Sequence, residues 1–426
     1  MGILNWKMGV GVVISAFLVV SLGMLTGEVV KIAFLYRGVE FNKPWVENKE
    51  SYRFQVIGDF GWQKNNVDHY PVLPLILVSE SMKESAEKEK VDLIFTTGDN
   101  FYPDLDNVFD PSGYYVLQTL FNWTDQMNIP FFLTYGNHDC YTSYDYGEKM
   151  QLLYRNVHMP STPYSISMPL GDHLIDFVFL SCNLFCLGPI DRHMKKQCKR
   201  IDFYNTSDYS EYKWLEKHYE DIKDDDRVLW KLVFVHFPIF STSTSSGDSE
   251  GLKLNLYPIV HKYNVDFVVS GHNHLMQHLV VNKTDGQLPY VKQDYNSECM
   301  KVTHVNCPED EKKMCRTRNV SCDSGYPNCK DRRPFDGFYD RYPYGNNLTY
   351  KKGEHLHQIV QGAGGGLLDP LCDSLSPMAE VIFAHCDFGF SEIYIDEERF
   401  SIKYIHANTS TVLFESTVLV NAKNQI

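Results

Sequence analysis

Short apolar runs alternate with amphipathic stretches along most of this chain, and this alternation is the strongest constraint on its fold. The runs are rich in Val, Ile and Phe, which predicts buried strands at Phe54–Gly58, Val91–Thr97, Ile129–Tyr135, Asp176–Ser181, Lys231–Val235 and Val265–Ser270. Helical spacing of apolar residues between them predicts helices at Leu75, Val78, Met82 and Ala86, and at Leu215, Tyr219 and Ile222. Strands alternating with helices predict an α/β layered fold, in which ligands bind beyond the carboxyl ends of the strands.

Strand patterns recur near the end of the chain, at Gln358–Gln361, Ser391–Ile395 and Ser401–His406. They predict that the sheet system continues to the C-terminal region. We therefore expect one catalytic unit and no second one.

The composition excludes several classes of protein. Of the 426 residues, 43% are hydrophobic and 22% are charged, which argues against both a disordered chain and a polytopic membrane protein. The formal net charge of -14 would repel a nucleic-acid backbone, so we expect no nucleic-acid partner. Bound metal ions would have to supply any local positive field.

Near the N-terminus, Met8–Gly27 contains twenty residues without a charge, long enough to span a bilayer as a helix. It predicts entry into the secretory pathway. Two fates are open: a signal peptide cleaved near Ser21–Gly23, or a retained signal anchor that attaches the chain to a membrane, which its length favours. We assign residues 1–36 to this segment and the polar residues 37–50 to a stalk.

Cysteines are concentrated in one region that we interpret as an inserted subdomain, residues 288–356. Five of the eleven lie within it, at Cys299, Cys307, Cys315, Cys322 and Cys329. An oxidising compartment makes disulfides the favoured interpretation, with a structural zinc knuckle as the weaker alternative because no Cys-x-x-Cys occurs among them. Outside the insertion, pairs among Cys182, Cys186 and Cys198, or between Cys372 and Cys386, are hypotheses.

N-glycans are predicted by six Asn-x-Ser/Thr sequons. Each sequon alone carries little weight, but together they fit glycosylation after translocation. The sequons begin at Asn122, Asn205, Asn282, Asn319, Asn347 and Asn408.

Polar residues of one chemical type follow five of the predicted strands. The segments are Gly58–Gly61, Gly98–Tyr102, Gly136–Asp139, Val235–Pro238 and Gly271–His274. Taken singly, Asp59 could be a turn residue or helix cap and His236 a core histidine, and even the His272-x-His274 pair is ambiguous. Five strand ends that all offer oxygen or nitrogen ligands predict a metal centre.

Two details of these motifs carry a family resemblance. Gly61 stands where many metallophosphoesterases have a histidine ligand, and Tyr102 lies three residues after the second aspartate. In these features the chain resembles the purple acid phosphatases of the metallophosphoesterase superfamily, specifically the tartrate-resistant type. The resemblance runs from about Tyr52 to Val420 and includes a glycine loop, Gly362–Gly365. It implies a catalytic domain over 51–420, interrupted by 288–356, folded as a four-layer sandwich of two mixed β-sheets flanked by helices.

The resemblance also implies a binuclear centre of Fe(III) and a divalent Fe, Zn or Mn ion. Hard Fe(III) suits carboxylate and phenolate oxygens, whereas an amide and two imidazoles suit a divalent ion. The implied Fe(III) ligands are Asp59, Asp99, Tyr102 and His274, and the implied ligands of the divalent ion are Asp99, Asn137, His236 and His272. His138 is the implied catalytic acid that protonates the leaving group.

The activity implied is that of an acid phosphatase, in which a metal-bound hydroxide attacks small phosphomonoesters in line. The catalytic domain would face the lumen or the cell exterior if membrane-anchored, or would be secreted or held in a lysosome- or vacuole-like compartment. Two alternatives stay open. One is a non-catalytic membrane-anchored scaffold of the same fold, as in the glideosome-associated relatives of parasites, and the other is a phosphodiesterase or nucleotide hydrolase.

Overall fold

The structure is a computed structural model that describes residues 47–62, 72–102, 113, 115–142, 151, 154, 156–159, 163–180, 210–243, 249–283, 347–369 and 379–420. Some predicted features lie outside these residues. They are the segment Met8–Gly27, the five clustered cysteines, and Cys182, Cys186, Cys198 and Cys372. Within the described residues, no helix combines the length and apolarity needed to cross a membrane.

The described strands form two mixed sheets, the first with eight strands in the order β10-β15-β14-β13-β1-β2-β3-β4. Its first four strands along the chain pair in parallel, and its last three pair antiparallel. Their bounds are β1 Ser51–Ile57, β2 Leu93–Thr96, β3 Phe131–Phe132, β4 Val157–His158, β10 Asn347–Lys351, β13 Gly389–Asp396, β14 Arg399–His406 and β15 Thr411–Leu419.

The second sheet has seven strands in the order β12-β9-β11-β8-β7-β6-β5. Parallel pairing joins β6, β7, β8 and β11, while β5, β9 and β12 are antiparallel to their neighbours. Their bounds are β5 Tyr164–Leu170, β6 His173–Phe179, β7 Val228–Phe234, β8 Phe267–Ser270, β9 Met276–Asn282, β11 His355–Gln361 and β12 Glu380–His385.

Helices occupy the connections between strands. The predicted apolar stripe of α1 is buried at Leu75, Val78, Met82 and Ala86, as its spacing requires. The described helices are α1 Val72–Glu89, α2 Asn122–Gln126, α3 Asn137–Thr142, α4 Ser210–Ile222, α5 Glu250–Asn255 and α6 Tyr257–Lys262, with a π-helical segment at Tyr115–Leu120.

The core lies between the two sheets and is rich in aromatic rings. Phe95 of the first sheet has ring centroids 4.9 Å from Phe177 and 5.0 Å from Phe234, which both belong to the second sheet. Elsewhere in the core, Phe267 of β8 stacks on Phe400 of β14 at 3.8 Å. Aromatic contacts of this kind hold the sheets face to face and bury large apolar areas.

The structure confirms the predicted α/β fold with two mixed sheets. Every predicted strand is present, although Ile129–Tyr135 contributes only the two residues of β3. The residues on either side of β3 still bond to the neighbouring strands. Pro130 O accepts from the Ile94 N–H at 2.9 Å, and the Leu133 N–H donates to His158 O at 3.0 Å.

The predicted stalk and the predicted insertion both end in residues that pair with the sheets. At the end of the predicted stalk, Lys49 pairs with Asp92 and forms a bridge with Leu170. At the other boundary, β10 and the first residues of β11 belong to the range predicted as the insertion. Both segments therefore lie against the sheets.

Candidate metal centre

The five predicted strand ends meet at one edge of the sandwich. In the first sheet β1, β2 and β3 run parallel, so the residues that follow them emerge on the same side. In the second sheet β7 and β8 also run parallel and lead directly to His236 and the His-x-His turn. Parallel strands carry their following loops to one edge, where a ligand can bind.

Three of the converging residues have an unusual backbone conformation. Asp59, Asp99 and His272 have φ values of 55°, 50° and 65°. A left-handed conformation outside glycine costs on the order of 1–3 kcal/mol and persists where surrounding structure imposes it, commonly at functional sites. Each of the three residues lies two or three residues after the last residue of a strand of the sandwich.

Close packing of the loops explains the glycine before Asp99. Gly98 has a φ of 96°, and a Cβ there would lie 2.6 Å from His236 Nδ1 and 2.9 Å from Gly136. A larger residue would push apart the loops that carry Asp99, Asn137 and His236.

One group of donors consists of Asp59, Tyr102 and His274. The Tyr102 phenol donates to Asp59 Oδ1 at 3.1 Å and lies 3.1 Å from His274 Nε2. Asp59 Oδ1 and His274 Nε2 are 3.4 Å apart. A carboxylate, a phenol and an imidazole therefore point at a common position.

The second group consists of Asn137, His236 and His272. Asn137 Oδ1 lies 2.9 Å from His236 Nε2 and 3.2 Å from His272 Nδ1. Asp99 Oδ1 is 3.3 Å from His236 Nε2. Ligand atoms of Asp59, Asp99 and His236 all lie within 4.8 Å of one another, which connects the two groups. The structure thus brings together all seven residues that the sequence suggested as ligands.

The buried carboxylates in this site need a positive charge beside them, which a protonated histidine or a metal ion can supply. Asp59 and Asp99 are 0% and 2% exposed, and in the described part of the chain their ion pairs are with histidines and not with Lys or Arg. Burying a carboxylate without a cation is costly. Oxygen and imidazole donors at these spacings fit first-row transition metal ions, so the residues present suit a metal centre.

The pKa values of these groups reflect a balance between burial, which disfavours the charged form, and the charges of neighbouring groups. Burial raises the pKa of the Asp59 carboxyl group, although the imidazoles of His274 and His236 oppose the shift. Burial also disfavours the charged form of Asp99, but the nearby His236 and His138 outweigh it and lower the pKa of Asp99. For His236 the Asp99 carboxylate outweighs burial and raises the pKa to about 9. Burial and the neighbouring His236 lower the pKa of His272.

His138 lies beside this centre. Its backbone N–H donates to Asp99 Oδ1 at 2.8 Å, and its ring packs edge-on against Tyr102 with centroids 4.6 Å apart. The side chain is 23% exposed, so it faces both the buried donors and solvent.

Sequence reasoning assigned no role to Asp139 or Asp369, which support the site. Asp139 accepts from the backbone N–H of Gly136 at 2.8 Å and of Asn100 at 2.9 Å. Asp369 accepts from the His274 N–H at 3.0 Å. Asp139 directly follows Asn137–His138, and this position could have indicated its supporting role. Asp369 is distant in sequence from the other strand ends, so no such signal was present.

The glycine loop Gly362–Gly365 and the adjoining Gly366 lie against the loop that carries Asp59. Gly364 N–H donates to Gly58 O and Gly366 N–H to Asp59 O, both at 3.0 Å. These bonds join the loop after β11 to the loop after β1, and so connect the two sheets beside the donors.

Two phosphatases are similar to this chain in sequence. Tartrate-resistant acid phosphatase type 5 of Oryctolagus cuniculus is 24% identical over 249 residues, which cover 55% of this chain and 71% of that protein. Purple acid phosphatase 7 of Arabidopsis thaliana is 26% identical over 232 residues, covering 54% of this chain and 66% of that protein.

Two solved structures share the fold. GAP50, described as the anchor in the inner membrane complex of Plasmodium, matches with a TM-score of 0.55 and 16% identity over 88% of this chain and 91% of its own. Purple acid phosphatase PPD1 from yellow lupin (Lupinus luteus) seeds matches with a TM-score of 0.51 and 14% identity over 88% of this chain and 55% of its own.

A family model described as calcineurin-like phosphoesterase matches residues 52–276, just over half of the chain. This range includes every strand end that contributes to the donor groups. The chain therefore belongs to the calcineurin-like phosphoesterase family, and within it resembles the purple acid phosphatases.

Proposed function

We propose that this protein is a binuclear metal-dependent acid phosphatase that hydrolyses small phosphomonoesters. The observation that carries the proposal is the convergence of seven donor side chains from five strand ends, with Tyr102 within 3.1 Å of both Asp59 and His274. Family membership and the phosphatase relatives support it.

The donors divide into two sets by their chemistry. Fe(III) would be held by Asp59, Asp99, Tyr102 and His274, and a divalent Fe, Zn or Mn ion by Asp99, Asn137, His236 and His272. Asp99 belongs to both sets and would bridge the ions. When bound, the two ions polarise the phosphate oxygens and acidify a water molecule.

The residue that would supply a proton to the leaving group is His138. His138 is partly exposed beside Asp99, where it can donate a proton to the leaving alkoxide. Its backbone hydrogen bond to Asp99 fixes its place relative to the donors. His138, His272 and His274 are the partly exposed residues of the site, so the substrate would approach from the side that they line.

The cellular location is part of the proposal. We infer a protein of the secretory pathway, either anchored through its N-terminal segment or released, with the catalytic domain in the lumen or outside the cell. Three of the predicted sequon asparagines, Asn282, Asn347 and Asn408, are exposed, as glycosylation requires.

Phosphate release from an aryl phosphate between acid and neutral pH tests the activity. The full chain loaded with iron and a divalent ion should turn over, and Asp99→Asn should reduce turnover at least a thousandfold while the folded state survives. Asp92→Asn is a matched control, because Asp92 contacts Lys49 away from the donors.

A folded, metal-loaded wild-type protein without turnover on monoesters would contradict the proposal. Hydrolysis of a phosphodiester or nucleotide in the same assay would identify the alternative chemistry. Absence of any hydrolysis would favour the scaffold alternative, for which the fold shared with GAP50 is a precedent.

A further inference from the structure

A second cluster of metal-ligating side chains lies outside the seven proposed ligands. Potential ligand atoms of His385, Asp387 and His406 all lie within 4.8 Å of one another. Asp387 Oδ2 is 3.0 Å from His406 Nε2, and the imidazole centroids of His385 and His406 are 6.2 Å apart. Two imidazoles and one carboxylate form a donor set that divalent first-row ions commonly use.

One of the ligand separations already suits a metal ion, and the other ligand atoms lie within 4.8 Å. Bonds of 2.0–2.2 Å in a tetrahedral site place neighbouring ligand atoms roughly 3.3 Å apart. The Asp387 and His406 atoms are already near that separation. The His385 side chain is 8% exposed, and those of His406 and Asp387 are 15% and 20% exposed, so the cluster is sheltered but reachable from solvent.

Hydrogen bonding orients the His406 ring towards the carboxylate. Thr409 Oγ1 lies 2.8 Å from His406 Nδ1, and it also contacts Thr411 Oγ1 at 2.7 Å. When Nδ1–H donates to Thr409, the Nε2 lone pair faces Asp387 Oδ2, and two acceptors 3.0 Å apart require a proton or a cation between them. A metal-binding histidine typically has its other ring nitrogen held in this way.

The ligand forms of the remaining groups are available. Burial lowers the pKa of His385 to about 4, so its imidazole is neutral at physiological pH. Burial would raise the pKa of Asp387, but when Nε2 of His406 carries a proton, its hydrogen bond and the Phe388 N–H outweigh burial and lower the pKa, so the carboxylate is ionised and a metal ion can replace that proton. Metal binding needs neutral imidazoles and an ionised carboxylate.

The cluster connects the two sheets. His385 is the last residue of β12 in the seven-stranded sheet, and His406 is the last residue of β14 in the eight-stranded sheet. Asp387 lies in the crossing between β12 and β13. His385 pairs with Met276, two residues after His274, so the cluster lies at the same edge of the sandwich as the proposed centre.

We propose that His385, Asp387 and His406 form a third metal site, which binds a divalent ion such as Zn²⁺ and fastens the two sheets to each other beside the proposed centre. The alternative is a simple His406–Asp387 ion pair. The two differ in metal content and in the response of thermal stability to metal.

Zinc content provides the first test. The full chain is dialysed against chelator-buffered Zn²⁺, and the bound zinc per chain is measured by mass spectrometry. Asp387→Asn/His406→Gln should bind one ion fewer than the wild type and keep its turnover of an aryl phosphate. His173→Gln is the matched control, since His173 also faces a carboxylate, Glu397, at 4.0 Å, and the described residues place no third ligand with this pair. Equal zinc in the double variant and the wild type would overturn the proposal.

Thr409→Val provides a second test that leaves all three ligands in place. Loss of the partner of His406 Nδ1 should weaken zinc binding at this site roughly 10- to 100-fold. Unchanged zinc affinity in Thr409→Val would contradict the proposed role of Thr409 in orienting His406. This variant also tests the proposal if the double variant does not fold.

Asp99→Asn separates this proposal from the proposed function. In that background, Zn²⁺ should still raise the Tm, and adding Asp387→Asn/His406→Gln should make the increase smaller. An equal metal-dependent increase in the two variants would refute the third site, whatever the result for phosphatase activity.

Discussion

The buried carboxylate of Asp139 accepts hydrogen bonds from both the backbone N–H and the side-chain amide of Asn100, at 2.9 and 2.8 Å. The same carboxylate accepts from the Gly136 N–H at 2.8 Å. One side chain therefore fastens the loop that carries Asp99 to the turn that carries Asn137. Such outer partners determine how firmly metal ligands are oriented.

We expect Asp139→Asn to weaken metal binding at least tenfold, because its amide would set N–H groups against the N–H donors that Asp139 now accepts. Metal affinity and aryl phosphate turnover should fall together. Asp221→Asn serves as the control, since Asp221 is 60% exposed and contacts only the surface Lys217 in the described structure. Wild-type metal affinity in Asp139→Asn would show that the loops are held by other contacts.

Tyr102→Phe should remove the colour of the iron-loaded protein. If the phenolate of Tyr102 binds Fe(III), its charge-transfer band gives the protein visible absorption, and phenylalanine cannot replace that oxygen. Absorption spectra of the loaded wild type and variant test this. Tyr394→Phe controls for general effects, because Tyr394 contacts Arg53 and Arg399 away from the donors. A variant that keeps its visible band would exclude Tyr102 as the iron ligand.

The buried pair His278 and His357 should make the fold sensitive to acid. Their rings are hydrogen-bonded at 2.9 Å, and His278 Nδ1 and His357 Nε2 have no hydrogen-bond partner within the described residues. Burial lowers the pKa of His278 to about 3, and burial together with His278, His355 and Lys283 lowers that of His357.

The direction of this pH dependence follows from proton uptake by the unfolded chain. Below about pH 6.5 the unfolded chain binds protons that the folded pair does not, so the free energy of unfolding falls as pH falls. The loss is roughly 1.4 kcal/mol per pH unit for each ring.

Denaturant unfolding of metal-free protein between pH 7 and pH 4.5 measures this slope. His278→Gln/His357→Gln should flatten it, whereas His261→Gln, which changes a partly exposed histidine on α6, should not. An identical slope in the double variant would mean that other groups cause the acid sensitivity.

Lys283→Met should stabilise the protein at neutral pH. Burial lowers the pKa of Lys283 to about 8, with Asp266 opposing the shift and Lys352 and Lys231 adding to it. Between about pH 8 and 10.5 the unfolded chain binds more protons than the folded one, so stability rises with pH over that range. Below pH 8 the full cost of the buried charge is present.

That cost is about 3 kcal/mol at neutral pH, from which loss of the Lys283 hydrogen bond to Val265 O subtracts roughly 1 to 2 kcal/mol. We therefore expect a net gain of about 1 to 2 kcal/mol in Lys283→Met, and a flatter pH dependence above pH 8. Lys217→Met, at a 73% exposed side chain, should change neither quantity. A destabilised Lys283→Met would mean that the charge is better solvated than its burial indicates.

Local patterns were sufficient for the elements and for the individual donors. Each apolar run predicted as a strand is a strand in the structure, and the spacing of apolar residues in α1 predicted its buried face. Both signals are local, because the period and the types of side chains determine secondary structure over a few residues. The glycine-flanked Asp, Asn and His residues marked the strand ends. Their convergence followed from the rule that parallel strands end at one edge.

Local sequence patterns were therefore enough for the α/β class, the strand ends and the chemical types of the proposed ligands. The division of the fifteen described strands into two sheets, and the joining of two loops by Asp139, became visible in the three-dimensional arrangement. The same arrangement brings His385, Asp387 and His406 together across the sheets. These relationships depend on pairings between residues far apart in the chain, whose free energies arise from packing and shared burial and leave no periodic trace in the sequence.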